Sequence, residues 1–398
     1  MMIPQPVMQA ISLLNDAGFS AYLVGGCVRD TVLHIPPHDY DLCTSATPGE
    51  MQQVFSTFRT IETGLKHGTL TVLMGEYPLE ITTYRLDGEY LDNRHPKEVI
   101  FTRKLDNDLS RRDFTINAMA YHPNEGLVDL FGGQEDCKNK ILRCVGRAAT
   151  RFEEDALRIL RALRFAARLQ FAIEENTAAA ILDKKELLHH ISAERIAVEL
   201  NGLLLADGAL PILTQFANVI FTVLPSVETE HWASSLNALP HTPKEIALRW
   251  AALLHPLGEE NARQIMQKLK VSNQLRDTVC ALVRHHALPL TEDNMQLNLT
   301  QVGDALIFPL IQLQAALAAA KNSPFNADKL QKKARQLIES GACYTLGQLA
   351  VSGSDLAAIG LRGPAIGQML HHLLEQVAAG NAENEKETLL KIAQVSIQ

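Results

Sequence analysis

Hydrophobic and polar positions along the chain follow one arrangement up to about Arg151 and another after it. In the first part, helical spacing alternates with short apolar runs. Val7–Ala17 carries apolar residues at helical intervals and stops at Gly18, which predicts an amphipathic helix. Ala21–Val24 is a short apolar strand running into Gly25-Gly26, and Tyr40–Cys43 predicts a second. Thr47-Pro48-Gly49-Glu50 opens a helix, with Thr47 and Glu50 as a capping box and Pro48 at the first helical position. Thr69–Leu73 and Leu79–Tyr84 are apolar or β-branched runs bounded by Gly and Pro, so both predict strands; the polar loop Asp87–Glu98 follows. Such a mixture predicts a compact α/β unit over about the first 125 residues. Beyond Arg151 the helical period takes over, in Glu153–Leu169, Ala193–Leu205, Pro243–Leu254, Asn273–His286 and Ile307–Lys321. Pro225–Pro240 and Leu288–Asn298 read as linkers between helical parts.

Length and composition narrow the class. A chain of 398 residues exceeds one compact core, so several modules are expected. With 46% hydrophobic and 21% charged residues, disorder is excluded as a general state. Met1–Gln9 has no basic stretch leading into an apolar one, so no secretory signal is expected. The apolar windows Leu210–Leu224 and Ala305–Ala320 are shorter than the ~20 residues of a membrane span and predict buried helices. Six cysteines without a CxxC pair point to reduced thiols and a cytoplasmic setting rather than to disulfides or zinc. The net charge of −8 argues mildly against nucleic acid as a partner. Arginine and lysine crowd between Arg103 and Arg168, however, and a local positive field steers phosphates whatever the total charge.

Four segments carry candidate chemistry. Gly25-Gly26-Cys27-Val28-Arg29-Asp30 places a glycine pair between a strand and a helix. Backbone N–H groups can approach phosphate there, and Arg29 can fork onto it, although many such pairs are only turns. In Asp39-Tyr40-Asp41, strand geometry points residues i and i+2 into one space, where two carboxylates suit a hard divalent cation such as Mg²⁺. Arg111-Arg112-Asp113 leads an apolar segment. A helix start would favour the aspartate but not two arginines, which favours phosphate or ribose binding. In Glu154-Asp155-Ala156-Leu157-Arg158 through Arg164-Phe165, a continuous helix would set Asp155 beside Arg158 and extend the stripe to Arg161 and Arg164. A solvated charged face is the ordinary explanation of that last pattern. Its coincidence with the other three favours a site.

Together these motifs resemble the class II tRNA nucleotidyltransferases, the CCA-adding enzyme and poly(A) polymerase family, and most of all the type from low-GC Gram-positive bacteria. The likeness also includes Asp129-Leu130-Phe131-Gly132-Gly133, Ser192-Ala193-Glu194-Arg195 and the tail from Gly347 to Glu387. It implies an α+β chain: a polymerase-β-like nucleotidyltransferase head with a small sheet (residues 1–145), then an all-helical neck (146–205), body (206–298) and tail (299–398) in a seahorse-like arrangement. By position, Asp39 and Asp41 would be the metal-binding catalytic carboxylates, with Glu80 as a third acidic residue. Gly26, Arg29 and Arg112 would hold the triphosphate and ribose, and Asp155, Arg158, Arg161 and Arg164 would face the incoming ATP or CTP. Cytosine and adenine both show an amino donor beside a ring-nitrogen acceptor, matching a carboxylate beside a guanidinium. Uracil and guanine show the reverse order, and such mismatches discriminate by ~10⁴–10⁵. The implied activity is template-independent addition of C, C and A to the 3′ end of tRNA, with Mg²⁺ as cofactor, pyrophosphate as product, and the tail on the tRNA elbow. Monomer and homodimer both remain open.

Four rivals stand beside this reading. Poly(A) polymerisation is disfavoured by an acidic tail where such enzymes carry a basic extension. CC- or A-addition alone is disfavoured by a full-length loop at Asp87–Pro96. An HD phosphohydrolase domain is disfavoured because Leu254-His255-Pro256 and His285-His286 lack the acidic neighbour. A non-catalytic RNA-binding module would not need two converging carboxylates.

Overall fold

The structure, a computed structural model, describes residues 2–75, 77–87, 99–227 and 230–396. The chain forms two compact units, Met1–Pro225 and Ser226–Gln398. In the first, the strands are β1 (Ala21–Val24), β2 (Asp41–Thr44), β3 (Arg59–Ile61), β4 (Thr69–Met74), β5 (Tyr77–Thr83), β6 (Arg85–Asp87), β7 (Val99–Phe101), β8 (Met119–His122) and β9 (Gly126–Asp129). Seven of them make one sheet in the order β3-β4-β5-β2-β1-β8-β9, while β6 and β7 pair separately. Neighbours in the large sheet are antiparallel except β2 and β5, which run parallel with Asp41 beside Glu80. Pro78 pairs only with Leu73 of β4. The β2 ladder begins at Glu80, so no N–H is demanded of the proline on that side.

Helices α1 (Gln5–Asp16), α2 (Gly26–Val32), α3 (Pro48–Val54), α4 (Leu105–Ser110) and α5 (Gly133–Asn139) surround this sheet. α1 buries Val7, Ala10, Ile11 and Leu14, the stripe its spacing predicts. α3 starts with the expected capping box. One cluster on the sheet joins Tyr22, Val24, Cys43 and Ala120 to Tyr84 and Leu109. Then come α6 (Ala148–Glu154), α7 (Leu157–Leu169), α8 (Glu175–Lys184), α9 (Ala193–Leu204), α10 (Ala209–Gln215) and α11 (Ala217–Val223). A two-residue parallel pair, β10 (Ile141–Leu142) with β11 (Ala172–Ile173), is the small exception to an all-helical region.

The predicted helix Glu153–Leu169 is in fact two, broken at Asp155-Ala156. Asp155 takes an extended backbone (φ −139°, ψ 103°), and its Oδ1 accepts the Leu157 N–H at 3.1 Å. Local side-chain bonding of this kind competes with helix continuation. Asp155 therefore ends one helix and starts the next instead of lying one turn before Arg158.

The second unit, among the described residues, is helical: α12 (Trp232–Leu236), α13 (Ile246–Leu254), α14 (Gly258–Lys268), α15 (Asn273–His285), α16 (Met295–Val302), α17 (Asp304–Ala320), α18 (Ala327–Glu339), α19 (Gly353–Ala358), α20 (Pro364–Ala378) and α21 (Lys386–Val395). No single described helix is long and apolar enough to cross a membrane. Near the C-terminus, Val351, Leu356, Leu373, Val377, Leu389 and Ala393 share a core. Asn384 clasps it by accepting from Ala350 N–H and donating to Gln348 O. All six cysteines are free and buried.

Phe114 is fully buried and meets Phe165 of α7 edge-on at 5.8 Å between ring centroids. Phe114→Ala is expected to lose about 3–5 kcal/mol, read as a lower denaturant midpoint; an unchanged midpoint would show that this ring does not hold α7 in place.

Candidate active site

The turn between β1 and α2 sets the geometry. Gly25 has φ +73°, a conformation that L side chains rarely adopt. A Cβ there would stand 3.3 Å from Arg112 Nη1, and one on Gly26 would stand 3.7 Å from Arg29 Nη2. Two guanidiniums therefore flank the glycine pair, as the sequence led us to expect. They differ in availability. Arg29 is 3% exposed, with Nε on Asp30 and Nη1 on Asn117, both at 2.8 Å. Arg112 gives Nη2 to Asp108 at 3.1 Å, while its buried Nε has no hydrogen-bond partner.

Arg111 and Arg112 follow the end of α4 rather than opening a helix. Cations are favoured at a helix C-terminus, which removes the mismatch found in the sequence. One turn back, the fully buried Asp108 receives Arg111 at 2.7 Å and Arg112 at 3.1 Å. Its carboxyl is held below the ordinary value: burial pushes it up, and the two arginines together outweigh that push.

Asp113 does not face a ligand. It accepts from Phe114 N–H, from Asn117 Nδ2, and twice from Arg161, at 3.0 and 2.8 Å. The other neck arginines are also engaged. Arg158 donates to Glu154 at 2.6 Å and to the carbonyls of Arg151 and Arg111. Arg164 Nε stands 2.6 Å from Glu199 Oε2, an ion pair without hydrogen-bond alignment. Arg29, Arg161 and Arg164 all lie within 5.4 Å of the Phe165 ring centroid. Asp155 bonds to Arg195 of α9 at 3.0 Å, and Arg195 Nη1 is buried without a hydrogen-bond partner. Asp155 and Arg158 thus border the same region, each held by a different residue.

Asp108 and Glu199 were missed in the sequence, and Asn117, Glu154 and Arg195 lay in motifs without being given a role. Spacing holds a signal for some of them: Asp108 precedes the arginine pair by three and four residues, and Arg195 and Glu199 are i and i+4 on α9.

Asp41 begins β2, whereas Asp39 precedes the strand. The carboxylates nevertheless share one field. Burial, then Asp39 and Glu80, push the Asp41 carboxyl up to about 6, against a smaller downward pull from Arg112. Glu80 is its neighbour across the parallel ladder. Among the described residues no three His, Cys, Asp or Glu side chains converge closely enough to hold a metal ion alone. Repelling carboxylates that leave positions open suit a hard cation which keeps water and phosphate ligands. The loop Asp87–Pro96, on which full CCA addition was argued, lies outside the described residues beyond Asp87.

The raised value of Asp41 has a sign. An ordinary Asp titrates near ~3.9. Between there and about 6 the unfolded chain has released the proton that the folded chain retains, so this group's contribution to stability falls as pH rises through that window. In chelator-treated protein, Asp41→Asn is expected to raise the denaturant midpoint at about pH 7.5 and to match the parent near about pH 4. A divalent cation should then lift the parent alone. Equal midpoints at both pH values would remove the repulsion.

Known proteins resemble this chain over nearly its whole length. The family described as "Poly A polymerase head domain" matches residues 21–143. "Probable RNA and SrmB- binding site of polymerase A" matches 170–218, and "tRNA nucleotidyltransferase domain 2 putative" matches 241–393. The CCA-adding enzyme of Enterococcus faecalis is 36% identical over 396 residues, covering 98% of this chain and 94% of its own. That of Limosilactobacillus fermentum is 38% identical over 394 residues, covering 98% and 96%. The crystal structure of the Bacillus stearothermophilus CCA-adding enzyme in complex with CTP superposes with a TM-score of 0.84 at 31% identity, covering 99% and 98%. Full-length relatives at this level, together with a matching head, make the chain a member of the CCA-adding enzymes, a family of tRNA nucleotidyltransferases.

Proposed function

We propose that this chain adds C, C and A to the 3′ end of tRNA from CTP and ATP without a nucleic-acid template, releasing pyrophosphate. The observation that carries the reading is the conjunction in one unit of the Asp39, Asp41 and Glu80 field with an arginine-flanked glycine turn. Full-length relatives named for the same activity support it. The work divides among a head (1–145), neck (146–205), body (206–298) and tail (299–398), in the cytoplasm.

Asp39 and Asp41 would hold Mg²⁺, with Glu80 beside them. When bound, the divalent ion lowers the pKa of the attacking hydroxyl and neutralises charge on the leaving pyrophosphate. The protein groups do the positioning. Gly26 lets the triphosphate approach the backbone, and Arg112 takes it through N–H groups left over from Asp108. Arg29 braces the turn from below. Asp155 accepts from the amino group of cytosine or adenine, and Arg158 donates to the adjacent ring nitrogen. Arg195 and Glu154 keep those two side chains apart and oriented. Arg161 and Arg164 fix α7 through Asp113 and Glu199. Poly(A) synthesis and partial addition are the alternatives; the length of the product decides among them.

Two outcomes test this. Asp39→Ala with Asp41→Ala should cut incorporation of labelled CTP and ATP into tRNA lacking its CCA end by at least about 10²–10³-fold. Incorporation that persisted would discredit the metal assignment. Asp155→Ala or Arg158→Ala should weaken discrimination against UTP and GTP by about 10²-fold or more, with tRNA binding nearly unchanged. Unaltered selectivity would take both residues out of base reading.

A further inference from the structure

The second unit contains a cavity of about 880 Å³ that the chemistry above does not use. It opens among the C-terminal ends of α13, α15 and α17, which present His255, His286 and Lys321, with His231 and Asn237 across from them. Basic residues at helix C-termini have an ordinary explanation in the helix dipole. Three features go beyond it.

The first is a pair of fixed tautomers. His255 Nδ1 lies 2.9 Å from Ala252 O and His286 Nδ1 lies 2.7 Å from Val283 O. A carbonyl oxygen only accepts, so each Nδ1 carries the proton and each neutral ring keeps an Nε2 lone pair for a donor. The rings meet edge to face at 5.2 Å, which ties the two together. Burial pushes His255 down to about 4; the Ala252 carbonyl opposes this, and His286, Lys321 and His231 add to it. At neutral pH its Nε2 therefore remains an acceptor.

The second is the charge of the wall. Among the described residues, no Asp or Glu lines the cavity. Glu230 stands outside the lining, 3.6 Å from His231 Nε2. Lys321 is exposed and has no acidic partner among the described residues. The third is the remaining surface, where Leu288, Pro289, Leu290, Leu317 and Phe325 make apolar walls. Gln314 gives its Nε2 to Leu288 O at 2.7 Å, which leaves its carbonyl oxygen as a further acceptor. Acceptors, apolar walls and a lysine around one cavity match an aminated heteroaromatic ring carrying a phosphate. The volume lies within the ~300–1,000 Å³ of small-molecule sites.

We propose that this cavity binds a nucleotide with an exocyclic amino group, independently of the head. The amino group donates toward the His255 and His286 acceptors, the base lies along Leu288, Leu290 and Phe325, and the phosphate meets Lys321 and His231. The same group can arrive as a free mononucleotide or as an unpaired residue of an RNA strand.

Photolabelling of the full chain with 8-azidoadenosine 5′-monophosphate, followed by peptide mapping, tests the proposal. Saturable label is expected within residues 286–290 and 314–325 and displaced by AMP. Lys321→Glu, on an exposed side chain, should reduce it about tenfold, and His286→Ala should do likewise with an unchanged melting curve; label in the head should persist in both. Displacement by a short unpaired RNA at lower concentration than AMP identifies the strand as the source, and displacement by AMP alone identifies the free nucleotide; both support the site. Label confined to the head, label undiminished in Lys321→Glu, adenosine competing as well as AMP, or UMP competing as well as CMP would each overturn it.

Discussion

One buried carboxylate organises the first unit. Asp113 is 8% exposed and accepts four hydrogen bonds from its surroundings, two of them from Arg161 of α7. Its partner Asn117 in turn accepts from Arg29 beneath the glycine turn. Through two side chains, the glycine turn and α7 are thereby referred to the same carboxylate. Burial opposes ionisation of this aspartate, and Arg161 and Asn117 more than offset it, so the charged form is kept. A buried pair of this kind is weak evidence for added stability. Its value here is geometric: α7 cannot shift without breaking charge-assisted bonds.

The same logic separates fully engaged arginines from those with donors to spare. Arg29, Arg161 and Arg164 surround one phenylalanine ring and have carboxylate or amide partners, so their charge is spent inside the protein. Arg112 and Arg195 each keep a buried nitrogen without a hydrogen-bond partner, as Arg164 does at Nε, where Glu199 nevertheless stands 2.6 Å away. An unsatisfied buried donor is costly in a resting protein and becomes productive when a ligand supplies the acceptor.

Much of this was legible in the chain, wherever the determining interaction is local. The capping box at Thr47 and Glu50, the apolar stripe of α1 and the apolar run of Ala21–Val24 are all patterns within a few residues, although that strand's pairing partners lie far along the chain. The candidate site residues were nominated from the sequence for the same reason, since the glycine pair, the Asp39-Tyr40-Asp41 run and the arginine pair are short motifs. What escaped depends on distant partners. The break at Asp155 is stabilised by Arg195, forty residues on. The tie between Asp41 and Glu80 comes from a parallel register that no spacing rule shows. That Arg111 and Arg112 follow a helix was not foreseen, because α4 is only six residues long, too short to leave a clear period.

The cysteines have a consequence of another kind. All six are buried and unlinked, and burial raises Cys27 to about 11 and Cys137 and Cys144 to about 12. Only the thiolate attacks oxidants and alkylating reagents, and at neutral pH these side chains scarcely form it. Chemical capture of sulfur must therefore wait for the polypeptide to open, so the pace of thiol loss becomes a clock that counts excursions from the native state.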